Sequence, residues 1–340
     1  MYRVERGGVS FDGRVMQGVD PDSFETLGVF AFHDARADTS FDPSAGDSEH
    51  YYARDRRRVY LDGQALPQAD PGSFAVAGLF PYARDHLRVY LWRTPIPGAD
   101  PVTFEPLREP YARDRAHVYR ASQALAGVHA PSFDLLADGY SRDRARVYYR
   151  DAPIVGADPA TLEVLPPVPT GLSDAGDYRG GHARDRARVY HVGVVIEGAD
   201  PASFTVLNQF YRKDHARVYR GDRVLAGADP ASFEVFSNLY GCHHDVTRDR
   251  HHVYVGDAVW DGVDASSFEI LRDGLGRLSR YSRDRAQVFF GRAAIPGADP
   301  ASFRVVGYRG LARDRDRVYA DGGVIEGAEP AAYFADDGSR

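Results

Sequence analysis

A run reading Tyr-Ala-Arg-Asp-Arg-Ala-Arg-Val-Tyr, or close to it, returns along almost the whole chain and is best preserved at 111–119, 141–148 and 183–190. Aligned on its central Asp, the copies fall at Asp55, Asp85, Asp114, Asp143, Asp185, Asp214, Asp249, Asp284 and Asp314, separated by 30, 29, 29, 42, 29, 35, 35 and 30 residues. A period near 29 residues constrains the fold more than any other feature, because a unit that short cannot bury its own apolar face and must stack on its neighbours. Nineteen residues after each Asp stands Phe74, Phe104, Phe133, Leu162, Phe204, Phe233, Phe268, Phe303 or Tyr333, without slippage in any copy. Counting back nineteen from Phe24 reaches Glu5, with Tyr2 and Val9 in the matching columns, so a tenth, worn copy opens the chain.

Ten units result, near 2–28, 52–78, 82–107, 111–136, 140–165, 182–207, 211–236, 246–271, 281–306 and 311–334, in one array over 1–334. Insertions fall at 29–50, 166–181, 237–246 and 272–280, and 335–340 form a polar tail. Within a unit, Val-Tyr four and five residues after the Asp reads as a short strand. A Gly- or Asp-containing turn follows, then a large apolar residue such as Leu66, Ile96 or Trp260, which makes a hairpin. Gly-Ala-Asp-Pro-Ala-Ser-Phe comes next, nearly verbatim at 198–204, 227–233 and 297–303; Asp as a cap and Pro at the first position predict one short helical turn. Residues like Phe233-Glu234-Val235-Phe236 add a further strand. The fold class expected is therefore mainly all-β, a tandem array of hairpins that is open or solenoid-like. The alternative is a closed ring resembling a β-propeller, whose blades usually need about 40 residues or more.

The chain has 340 residues and a net charge of −7, which argues against a nucleic-acid partner, since phosphate binding draws on a basic surface. Cys242 is the single cysteine, so no internal disulfide framework exists. The start shows no apolar leader or lipobox, and no segment approaches eighteen uninterrupted apolar residues, so a cytoplasmic protein without a membrane segment is expected.

The paired motifs Tyr-x-Arg-Asp-Arg-x-x-Val-Tyr and Gly-Ala-Asp-Pro-x-Ser-Phe-x-Val-Leu resemble the DKNYY family of bacterial repeat proteins, named for an Asp-Lys-Asn-x-x-Tyr-Tyr-like run. Here Arg or His stands for the Lys, Ala or Arg mostly for the Asn, and the second Tyr survives only at Tyr149, with Phe at Phe11 and Phe290. The resemblance spans 2–334 apart from the insertions. It implies a repeat architecture and supplies no activity, cofactor or site residue. Members often look like surface or lipoprotein-type proteins, a destination that requires export.

A catalytic carboxylate is needed once or twice, not at nine lattice positions, so the repeated Asp is expected to bond turn amides. Arg or His three residues after the Asp and Tyr five after it would share a strand face by two-residue alternation. Arg58/Tyr60, Arg88/Tyr90, His117/Tyr119, Arg146/Tyr148, Arg188/Tyr190, Arg217/Tyr219, His252/Tyr254 and Arg317/Tyr319 then form candidate binding rows. The competing reading packs these rings against the next unit with the Arg covering them. The metal-like cluster Cys242, His243, His244, Asp245, His251 and His252 matches no standard zinc spacing and reads as an exposed His-rich loop, so no cofactor is expected.

These features point to a non-catalytic repeat scaffold that binds another macromolecule, with a protein as first choice of partner, for example an immunity-type protein sequestering a toxin. The alternative is a glycan or cell-envelope binder using the Arg/Tyr rows, and a metal-dependent enzyme built on the His cluster ranks last.

Overall fold

The computed structural model describes residues 1–5, 7–32, 48–78, 82–108, 110–166, 168, 180–236, 246–273, 276–306 and 310–333. The chain divides into two compact units, Met1–Leu136 with Ser141–Pro153, and Ala137–Tyr140 with Ile154–Arg340.

Ten antiparallel sheets follow one another along the sequence, the first with three strands and the other nine with four. Each is a meander. In the third sheet the strands are Ala75–Val76, Tyr82–Arg84, Val89–Leu91 and Thr94–Pro95, with Val76 opposite Ala83, Ala83 opposite Tyr90 and Tyr90 opposite Pro95. Sequence alone suggested two or three strands per unit. The extra strand is Tyr-Ala-Arg itself, in front of the Asp, which pairs on both sides. The first strand of each four-stranded sheet is the run just after the column of Phe74 and Phe104, so the end of one sequence unit begins the sheet of the next.

Local chemistry explains the turns. The seventh residue after the Asp joins the third and fourth strands and has positive φ in every copy, by glycine at Gly221, Gly256 and Gly291 and otherwise by residues such as Asp62, Asp321 and even Val192. A β-branched residue there carries a steric cost that glycine avoids. After the fourth strand, the Gly-Ala-Asp-Pro stretch crosses to the next sheet. It forms short 3-10 helices at Pro21–Ser23, Ala130–Ser132 and Pro330–Tyr333 and plain turns in the other copies. Asp20 makes no cap bond in its helix. Its carboxylate accepts instead from the Ser23 hydroxyl at 2.7 Å, and the corresponding Asp70 and Asp100 are engaged likewise by Ser73 and Thr103.

Each stretch of core is shared by two consecutive sheets. Tyr82, Val89, Ile96 and Phe104 pack with Ala112 and Tyr119 of the following sheet. The ring nineteen residues after the Asp is the wedge: Phe104 lies 5.2 Å from Tyr82 and 5.9 Å from Tyr119, and Phe303 stands likewise between Tyr281 and Tyr319. The tyrosine three residues before the Asp reaches over to the next sheet, where Tyr52 donates to the Trp92 carbonyl at 2.7 Å and Tyr281 to that of Gly310 at 2.8 Å. Aromatic rings at this spacing add about 0.5–1.5 kcal/mol per pair to their burial.

Two insertions lengthen a hairpin. Glu25–Phe32 pairs with Ser48–Arg54, and Glu269–Arg272 with Leu278–Arg283, each through a bulge. Residues 33–47, 169–179 and 237–245 of the insertions lie outside the described residues.

Candidate functional site

The repeated Asp occupies the tip between the second and third strands and is nearly inaccessible in every copy from Asp55 to Asp314. Asp114 shows what it does there. Its Oδ1 accepts from the backbone amides of Ala116 and His117, both at 2.7 Å. Its Oδ2 accepts from the Tyr119 hydroxyl at 2.7 Å and from the amide of Asp100, in the preceding connection, at 3.0 Å. The same connector amide bond recurs in all nine copies, including Asp20 to Asp55 at 3.0 Å across 35 residues and Asp158 to Asp185 at 2.9 Å across 27. Burial alone would raise the Asp114 carboxyl, but the four hydrogen bonds outweigh it and hold the group below its ordinary value. Tyr119 is pushed the other way by burial and by the Asp114 charge.

This geometry divides the candidate rows. Tyr60, Tyr90, Tyr119, Tyr148, Tyr190, Tyr219 and Tyr254 are all buried, each with its hydroxyl on the Asp of its own tip. Their partners three residues after the Asp lie in the turn, one residue before the strand, so alternation along a strand does not govern them. Arg58, His117, Arg146, Arg188, Arg217, His252 and Arg317 are exposed and Arg88 half-buried. Several lean over the preceding connection: Arg88 donates to the Gln68 carbonyl at 2.9 Å, Arg188 to Gly156 at 3.0 Å and Arg217 to Gly198 at 2.6 Å. Gly156 and Gly198 have positive φ, and a Cβ at either would meet the guanidinium at 2.5 or 2.3 Å.

Two other cation rows are neutralised in place. The residue immediately after the Asp pairs with the connector Asp, as in Arg56 with Asp20 (2.8 Å), Arg115 with Asp100 (3.3 Å) and Arg315 with Asp299 (2.8 Å). The residue immediately before it pairs across the sheet, as in Arg113 with Glu105 (3.0 Å) and Arg184 with Glu163 (2.9 Å). Exposed pairs of this kind are screened by solvent and salt and add little to stability.

One pair of buried residues departs from the lattice. Three residues before the Asp the other copies have Tyr, Val246 or Leu311, and two before it Ala, Ser or Thr247; the sixth unit has His182 in the first column and the seventh Arg212 in the second. Arg212 is buried and donates through Nε to His182 Nε2 at 2.8 Å and through Nη1 to the Phe210 carbonyl at 3.3 Å. The His182 ring stacks on His191 at 4.4 Å, and His191 Nδ1 meets Asp222 at 2.9 Å. Burial, then the Arg212 and His191 charges, bring the His182 imidazole down to about 3, so it is neutral at pH 7 and free to accept. Because that value lies below the unfolded one, the unfolded chain takes up a proton that the folded chain refuses, and stability falls as pH drops from 6.5 toward 3. Restoring the lattice residues with His182→Tyr/Arg212→Ala should remove a loss of about 2 kcal/mol between about pH 7.5 and pH 5. Urea titrations at both pH values check this, and an unchanged pH dependence would exclude His182 as its source. The sequence signal was an ionisable side chain in each of two columns that, in the copies bearing the Asp, otherwise hold Tyr or an aliphatic residue and Ala, Ser or Thr, in consecutive units.

Of the metal-like residues, His251 and His252 are exposed, with His252 Nδ1 3.4 Å from the Tyr254 hydroxyl. Cys242, His243, His244 and Asp245 lie outside the described residues. Among the described residues no three His, Cys, Asp or Glu side chains gather as a metal site, and no helix is long and apolar enough to cross a membrane.

Fold and lattice together define a tandem β-meander repeat protein, whose copies are tied by a buried Asp at each tip and an aromatic wedge between sheets. The chain belongs to the DKNYY family, whose model matches residues 2–152 and 182–334 and breaks at the second insertion. No curated protein and no solved structure matches it.

Proposed function

We propose that this chain is a non-catalytic repeat scaffold that binds another protein. The observation that carries the reading is how the repeated groups are used. The lattice carboxylate already accepts from its turn, its connector and usually a Tyr hydroxyl, while an Arg or His three residues further on reaches solvent in most units, with Gln287 in its place after Asp284. Chemistry at the Asp would require dismantling the tip, whereas a partner can meet the outer cations without disturbing it. Repeat arrays commonly bind through such extended faces.

The test is affinity capture from lysate of the source cells, with the whole chain as bait and nuclease treatment. A protein retained in one-to-one stoichiometry, confirmed by light scattering of the purified complex, is the expected result. A second bait lacking 169–179 reports on the insertion and spares Gly181, whose carbonyl accepts from Tyr140 at 2.9 Å. If both baits retain no protein but the chain is retarded by polysaccharide on native gels, the protein-binding reading falls and glycan binding replaces it.

A further inference from the structure

Nine of the ten sheets take their first strand from the residues that close the preceding unit, and the opening sheet has no such strand among the described residues. Its strands are Tyr2–Glu5, Gly8–Phe11 and Arg14–Val15, so Tyr2–Glu5 stands where the other sheets have their second strand and is paired on one side only. The lattice shows what belongs on the other side. In the third sheet Ala75 lies opposite Arg84, Val76 opposite Ala83, and the Ala77 amide donates to the Tyr82 carbonyl at 2.8 Å. The opening unit has Val4, Arg3 and Tyr2 in the columns of Arg84, Ala83 and Tyr82. The Met1 carbonyl accepts from the Asp12 amide at 3.2 Å on the paired side, so alternation turns the N–H and C=O groups of Tyr2 and Val4 toward the open edge.

The side chains along this edge differ from the lattice as well. The residue immediately before the Asp is Arg or Lys in the nine other copies and lies opposite a carboxylate in six of them, as Arg113 lies opposite Glu105. In the opening unit it is Val4, which is 56 % exposed. The columns that elsewhere face the preceding sheet, those of Ala112 and Tyr119, hold Arg3 and Ser10. A further repeat would therefore lack the buried Ala and Tyr on which units stack, whereas a single strand needs only the backbone edge and an apolar neighbour for Val4.

We propose that an extended segment of the protein partner pairs antiparallel with Tyr2–Glu5 along this edge, with an apolar residue opposite Val4, a polar one opposite Arg3 and an apolar one opposite Tyr2; the inference rests on the protein-binding reading above. Unpaired strand edges are ready templates for such addition. Main-chain hydrogen bonds supply the attraction, and alternate side chains select the sequence.

The test uses two fluorescein-labelled peptides with identical flanks of Thr and Lys around a centre of either Val-Glu-Leu or Glu-Val-Leu, the second being the order of the chain's own strand residues 163–165. By fluorescence polarisation, wild type should bind the first about fivefold more tightly, because its Val meets Val4 across the strands. Val4→Arg, which restores the lattice residue, should abolish that preference. Val4→Pro removes one N–H on the open side, where an edge strand tolerates proline, so circular dichroism should be unchanged while affinity falls about tenfold. If proline disturbs the sheet, the preference of Val4→Arg decides alone. Equal affinity of wild type for the two peptides, a preference that survives Val4→Arg, or undiminished binding by a folded Val4→Pro variant would overturn the proposal. Self-association of the whole chain in light scattering, abolished by Val4→Pro, would put a second copy on the edge and overturn it too. Lysate capture separates the two readings: a partner retained equally by wild type and Val4→Pro removes the edge and leaves the scaffold, whereas no retained protein removes both.

Discussion

Asp114→Ala should lower the unfolding free energy by about 4 kcal/mol, more than any single surface change in the chain. The substitution removes an acceptor from two turn amides, a buried hydroxyl and the amide that ties in the preceding connection. Bonds to a charged acceptor count for about 1.5–3 kcal/mol each, and the donors left without a partner add their desolvation. Because each unit touches only its neighbours, the loss should be local. Hydrogen exchange read by mass spectrometry should show lost protection over residues near 100–124, with the other compact unit unchanged; uniform loss in both units would contradict nearest-neighbour stacking. The same network sets the acid limit. Asp55, Asp85, Asp114, Asp143, Asp185, Asp214, Asp249 and Asp314 are all held below the ordinary carboxylate value of 3.8, so their contribution is complete above it and lost as pH falls through the folded value. Acid unfolding monitored by far-ultraviolet circular dichroism should therefore begin below about pH 4 and be less steep in the variant.

Phe303→Ala should cost a similar amount, about 3–5 kcal/mol, the range for removing a buried aromatic ring. Phe303 is fully buried between Tyr281 and Tyr319, in a core that also takes Val288, Ile295 and Ala312. The chain contains its own control, since Leu162 fills the same column and is buried. Phe303→Leu should accordingly lose only about 1–2 kcal/mol, mostly the ring contacts. Chemical denaturation of the two variants measures the difference, and equal losses would mean that ring geometry, not volume, holds the sheets together.

Much of this lattice could be read from the residues. The fixed distance from Asp to Phe exposed the period, and the polar turn residues marked the connections. The Tyr-Ala-Arg strand was harder to see, because Ala has little strand preference of its own. Ala112 is there for space: it faces Tyr119 across the sheet and is fully buried in the core shared with Phe104. The Arg/Tyr rows were read by an alternation that holds only inside strands, and the cation sits one residue too early. Burial of the tyrosines follows from their hydroxyl bonds to the Asp, a tertiary fact with no sequence period of its own. His182 and Arg212 stand 30 residues apart, and only the stacking of consecutive sheets brings them together.

The long insertions share one address. In sequence, residues 33–47, 169–179, 237–245 and 274–275 all fall between the first and second strands of a sheet. The joint is indifferent to length: the connector amide still reaches its Asp across 27 residues between Asp158 and Asp185, as it does across 14 between Asp100 and Asp114. Descendants of such a gene can therefore acquire new residues at this joint without renegotiating the array, keeping an inherited frame at the tips while the joints lengthen.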